Sequence, residues 1–339
     1  MHSILHGLTR FNCLRGGENT LPSYAEDAIL NHINQKYKEE TSVKIIDKSV
    51  YTFSKDNQPF CNAQPGEVLL FRTMDCFGGQ FTSEDQLVDD LDLTKANPAA
   101  GPVFVEGAEP GDVLVVDVLD ITVGDVGFAC SMGEAGPLYD ICELRTRMMP
   151  IVDGCVQFND IRWPINPMVG VMGTAPAGEA VATGHAGDHG GNMDSKKITK
   201  GARVYFPVRV PGALLQMGDI HATMGDGEIC GTGVEIAGEI LVRISLIKSF
   251  ALNWPVTETE DNWYVNAKGK DYDESLILAS KELCRLMEPA YGWDATDIFI
   301  YLSLQGDVEI NQACRPMHDD MVNVRVGIPK TAGKKPLIG

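Results

Sequence analysis

Glu109-Pro110-Gly111-Asp112-Val113-Leu114-Val115-Val116-Asp117-Val118-Leu119-Asp120-Ile121 is the stretch on which the fold class turns. Proline pre-sets φ at the second position of a turn, and glycine accepts the positive φ that a type II turn requires next, so Pro110-Gly111 reverses the chain. The β-branched run behind it is long enough to cross a sheet. Working outward, Gln64-Pro65-Gly66-Glu67 repeats the turn and leads into Val68-Leu69-Leu70-Phe71-Arg72-Thr73. Val43-Lys44-Ile45-Ile46, Val50-Tyr51-Thr52-Phe53 and the run Ala202 to Val210, bounded by Gly201 and Pro211, also read as strands. Repeated turn-then-strand, with few helical stretches before residue 270, predicts an α+β chain that is mainly β: a β-sandwich or barrel body with a smaller C-terminal α/β layer.

The ends of the chain read differently. Residues 22 to 37 place Ala25, Ala28, Ile29, Leu30, Ile33 and Tyr37 at helical spacing behind Ser23, so 1–41 reads as a helical N-terminal extension. Residues 42–250 form the β body that carries the site, and 251–339 an α/β part packed on it. Leu276, Ala279, Leu283, Leu286 and Met287 mark one helix, with Asp273 as its N-cap; a second covers Ala295 to Leu304. Val308-Glu309-Ile310 and Val322 to Ile328 then return to strand. His318 beside Asp319 and Asp320 reads as surface.

Charge narrows the partners. With 28 basic and 47 acidic residues in 339, the net charge of −19 disfavours nucleic acid and anionic membrane and leaves a small neutral substrate or a cation. Nine cysteines without a C-x-x-C pair supply neither a disulfide framework nor a cysteine zinc module. Cys130, Cys142 and Cys155 sit among apolar neighbours with no histidine nearby, the setting of inert thiols. No apolar run suits a membrane helix and no basic segment precedes a long apolar core, so the expected location is cytoplasmic.

Chemistry concentrates between Gly184 and Glu228, which holds three of the seven histidines. Gly184-His185-Ala186-Gly187-Asp188-His189-Gly190-Gly191-Asn192-Met193-Asp194 and Gly218-Asp219-Ile220-His221-Ala222-Thr223-Met224-Gly225-Asp226-Gly227-Glu228 set imidazoles beside carboxylates, a donor mix for a divalent cation. Asp219 and His221 are two apart and share a face if extended. Asp226 and Glu228 flank a turn glycine. Asp75, at the end of the strand before Cys76-Phe77-Gly78-Gly79-Gln80, either reaches such a cation or caps the strand end as an Asx turn.

These stretches, with Asn97-Pro98-Ala99-Ala100-Gly101-Pro102-Val103, Val105-Glu106-Gly107-Ala108-Glu109-Pro110-Gly111-Asp112, Gly231-Thr232-Gly233-Val234-Glu235 and Gly306-Asp307, resemble the acetamidase/formamidase family from about Ser42 to the C-terminus. The resemblance implies hydrolysis of a short linear amide to carboxylate and ammonia, on a mainly β fold, in homo-oligomers, with a dimer as the expected form. It also implies divalent metal, zinc and/or calcium. Asp75, His189, Asp194, Asp219 and His221 are then candidate metal-binding residues, Asp226 or Glu228 the base and proton shuttle, and Asn192 the group that orients the substrate amide. The backbone N–H groups of Gly190-Gly191-Asn192 are the expected oxyanion donors. A cyclic amide, or a non-catalytic role in binding a metal or ligand, stands as the alternative.

Overall fold

The structure is a computed structural model that describes residues 43–314 and 322–339. The helix expected over 22–37 and the His318 segment lie outside the described residues. The described residues build two large sheets and two α-helices, mainly β as the turn-and-strand grammar predicts. Both Pro-Gly turns have their glycine at positive φ, Gly66 at 101° and Gly111 at 94°. The strand launched by the second, Val113–Val123, sits inside a nine-stranded sheet between Gly238–Ile247 and Arg203–Pro207.

That sheet continues through Val256–Glu258, Asn262–Ala267 and Asn323–Pro329 to an edge strand, Asp307–Gln312, so segments on both sides of residue 250 share one sheet. The twelve-stranded sheet holds Ala99–Val105, Met168–Gly173, Gly190–Asn192, Leu215–His221 and Glu235–Ile236. The two sheets face one another across a single core. Leu69, Phe71, Val116, Phe206 and Val242 enter it from one side and Val103, Val169, Met172, Leu215 and Met217 from the other. Each such side chain, fully buried, stabilises the sandwich by about 1.5–3 kcal/mol.

The outer face of the nine-stranded sheet is covered by the helix Tyr272–Tyr291, whose Ala279, Leu283, Leu286 and Met287 pack with Trp263, Val265, Val324 and Val326. Its N-cap is Asp271, which accepts from Glu274 N at 2.8 Å. The expected cap, Asp273, instead lies in the first turn, where its charge complements the helix dipole. Helix Ala295–Gln305 follows, capped by Asp294. Among the described residues no helix is long and apolar enough to cross a membrane.

Candidate active site

The site is built on Leu215–His221, every residue of which is buried. Neighbouring strands set the partners of its last residues: His221 stands opposite Glu235 in an antiparallel pair, and Ile220 opposite Ile236. Asp219 does not keep the extended backbone that the two-residue rule assumes, for its φ is 57°. Its side chain still meets the histidine, with Asp219 Oδ1 3.4 Å from His221 Nε2. Asp194 and Glu228 also have positive φ, 44° and 42°. Three carboxylates are thus held in a conformation that costs about 1–3 kcal/mol each at a non-glycine residue, a concentration of strain typical of functional sites.

Four carboxylates surround one imidazole. His221 Nε2 lies 3.2 Å from Glu235 Oε2, 3.8 Å from Asp194 Oδ1 and 4.0 Å from Glu228 Oε1 in addition to the Asp219 contact. All five side chains are at least 95% buried. Asp194 Oδ1, Asp219 Oδ1 and Glu235 Oε2 have no well-formed hydrogen bond. Gly170 makes room for the group: a Cβ there would stand 2.5 Å from Asp194 Oδ1 and 2.6 Å from Asp219 Oδ2.

Burial pushes the Asp194 carboxyl well above the usual carboxylate range, and the charges of Glu228 and Asp219 push it further. Glu228 is raised by burial, with His221 pulling it back, and Glu235 is raised to about 8 for the same reasons. Burial alone would lower His221; Glu235 and Asp219 outweigh it and hold the imidazole well above its ordinary value. A buried set with four acids and one base stays stable only by taking up protons or a cation. Its ligand atoms form two adjoining groups, Asp194, His221 and Glu228, and Cys76, Asp219 and Glu235, with the atoms of each within 4.8 Å of one another. Unpartnered oxygens facing one imidazole nitrogen fit a divalent ion.

The four carboxylates, Asp194, Asp219, Glu228 and Glu235, line an open cavity of about 400 Å³, with His221 behind them. Asn192, Asp194, Asp219, Glu228, Glu235 and Gln312 supply its polar lining, while Tyr51, Phe77, Leu93 and Met132 supply apolar walls. Asn192 Nδ2 donates to Gly184 O at 3.3 Å and its Oδ1 has no partner.

Several expected residues sit elsewhere. Asp75 belongs to neither donor group; its Oδ1 accepts from Phe77 N and Gly79 N at 3.0 Å each, the Asx-turn alternative. Asp226, two residues from Glu228, points away and pairs with Arg325 at 2.7 Å and Lys196 at 2.8 Å. Those two cations outweigh burial and lower its pKa, leaving a carboxylate poorly suited to act as a base. His189 is buried edge-on against Phe53, with ring centroids 5.0 Å apart. Burial, helped by the charge of Lys268, lowers it to about 4, so the ring is neutral. Asp188 pairs with Arg209 at 3.0 Å, whereas His185 lines the cavity. The backbone N–H of Asn192, one of the expected oxyanion donors, donates to His185 O at 3.1 Å.

Glu235 and Gln312 complete the site without having been singled out by spacing. For Glu235 a signal existed: a lone carboxylate between Val234 and Ile236 in a short apolar run must find a partner once buried. Gln312 carried none, since it arrives from an edge strand of the other sheet.

Comparison with known proteins gives a consistent result. A profile of the Acetamidase/Formamidase family matches residues 47–186 and 177–278. A formamidase of Methylophilus methylotrophus is 34% identical over 299 residues, 65% of this chain and 73% of that protein. The crystal structure of an acetamidase from Bacillus halodurans superposes with a TM-score of 0.81 at 35% identity, covering 84% of this chain and 97% of that one. A predicted acetamidase/formamidase from Thermoanaerobacter tengcongensis gives 0.81 at 37% identity, covering 85% and 96%.

Proposed function

The chain belongs to the acetamidase/formamidase family, and on that premise we propose that it hydrolyses short linear amides, of the formamide and acetamide type, to a carboxylate and ammonia in the cavity beside His221. The observation that supports a metal-assisted reaction is the charge of the buried group, four carboxylates against one imidazole with three oxygens unpartnered. In this reading Asp194, Asp219 and His221 hold a divalent cation, zinc or calcium, zinc being the one that readily takes imidazole nitrogen. When bound, the cation supplies a Lewis acid that lowers the pKa of water and polarises the amide carbonyl.

The remaining work falls to the chain's own residues. Glu228, raised in pKa and open to the cavity, takes the proton of the attacking water at Oε1 and delivers it to the departing nitrogen. Asn192 Oδ1 accepts from the substrate's NH2 and so fixes which face of the amide meets the water. Glu235 stays against the His221 ring, its Oε1 anchored by Gly233 N at 2.8 Å. Asp75 holds the 75–79 turn in this scheme, and the neutral His189 ring packs against Phe53.

We also propose a cytoplasmic homo-oligomer, with a dimer as the simplest form. All eight described cysteines are free, which suits a reducing compartment. Phe299, Ile300 and Leu304 on one helix, and Val308 on the edge strand, expose apolar surface of the kind that interfaces bury. Sedimentation velocity tests the assembly, a monomer at micromolar concentration counting against it. Ammonia release from formamide, acetamide and propionamide, and amino-acid formation from a lactam, test the activity. Turnover of the linear amides is expected; turnover of the lactam alone would overturn the substrate class.

A further inference from the structure

Gln312 enters the site from the far edge of the nine-stranded sheet. Its side-chain amide nitrogen donates to Asp194 Oδ2 at 2.7 Å and to Glu228 Oε2 at 3.1 Å. Each of these carboxylates therefore has one oxygen fastened, and the other is the one nearest His221 Nε2, Asp194 Oδ1 at 3.8 Å and Glu228 Oε1 at 4.0 Å. An amide is the side chain that can do this: it carries two donors on one atom and adds no charge to a group already overloaded with acids.

The clamp has its own anchor. Gly227 N donates to Asn311 O at 3.1 Å and Ala313 N to Gly227 O at 2.7 Å, so the turn carrying Glu228 is stitched to the strand carrying Gln312. Arg325, fully buried, spans the same seam, donating to Asp226 Oδ1 at 2.7 Å, Asn311 Oδ1 at 2.5 Å and Glu309 Oε2 at 2.8 Å. One guanidinium thus holds the neighbours of both Glu228 and Gln312 at a fixed spacing. A planar fork with five donors suits this task and a lysine would not.

We infer that Gln312 is a positioning residue for amide hydrolysis: its amide fastens one oxygen each of Asp194 and Glu228 and so turns their other oxygens toward His221, with Arg325 fixing the strand and turn that bring the three together. The inference rests on the hydrolase reading of this site. Partners that orient the groups of such a site are commonly worth about 10–100-fold in activity or cation affinity.

The test uses the full-length Gln312→Leu variant, which keeps the volume and removes both donors. Ile298→Ala, in the buried face of a helix remote from the cavity, serves as a destabilised control. Expected for Gln312→Leu are a kcat lower by about 10–100-fold with KM within about twofold, a similar loss of zinc or calcium affinity in chelator competition, and a crystal structure in which both carboxylates have rotated. Losses no greater than those of Ile298→Ala, or carboxylates unmoved in the crystal, would overturn the inference. Wild-type protein that binds the ion but releases no ammonia would sink the hydrolase reading instead, and the affinity and crystal arms would still decide whether Gln312 is a clamp.

Discussion

Asp226 and Glu228 stand two residues apart in one turn and belong to opposite kinds of charged assembly. Asp226 joins Glu309, Arg325, Lys196 and Lys197, where each of the two acids is paired with two of the three bases; Arg325 and Lys196 lower its pKa. Glu228 joins Asp194, Asp219, Glu235 and His221, where acids outnumber the base and burial raises its pKa. A network whose acids are all paired makes sense as a brace. An unmatched one costs stability and is retained where something else supplies the missing charge.

The contrast can be broken most severely at Gly170. A methyl there collides with both Asp194 and Asp219, so Gly170→Ala is expected to cut kcat/KM by about 100-fold or more with little change in circular dichroism. On the brace side, Arg325→Met leaves Asp226 and Glu309 without their shared cation and should lower unfolding free energy by about 3 kcal/mol in urea titration, since breaking a buried pair strands its partner.

The sharpest comparison pairs two neutralising substitutions of opposite sign. Glu235 has its pKa raised from 4.5 to about 8, first by burial, so the folded protein holds a proton that the unfolded chain releases. Stability of the chelated protein should therefore fall as pH rises from about 4.5 through about 8, and Glu235→Gln should remove that fall, gaining about 1–4 kcal/mol at pH 8.5. Asp226 has its pKa lowered below 3.8, so its contribution is present above that value and lost as pH drops through the folded pKa. Asp226→Asn should cost about 1 kcal/mol at pH 7, a modest amount because the pair is partly exposed, and progressively less as pH drops through the folded pKa. Denaturant melts of both variants across pH 2–9 check the two signs together.

The sequence made the β body legible because its signals are local. Pro65-Gly66 and Pro110-Gly111 announce turns, and the run after Gly111 becomes Val113–Val123 almost where read. Asp194, Asp219, His221 and Glu228 were found through motifs and do converge. Spacing could not tell which way a turn residue faces, so Asp226 was grouped with Glu228 although only one of them reaches the cavity. Nor could it place Glu235 beside His221 or Gln312 beside Gly227, since those neighbours are set by strand pairing over 14 and 85 residues. The helix cap shows the same limit at short range: Asp271 and Asp273 are equivalent in composition, and only backbone geometry gives the role to Asp271.

Ammonia release from acetamide, measured on samples whose metal content is determined by elemental analysis, bears most directly on the unmatched cluster. Activity should vanish when a chelator strips the protein, return on addition of zinc or calcium, and fail to return in Asp219→Asn. Full activity in protein proved metal-free would contradict the cation's role and leave Glu228 alone to activate water.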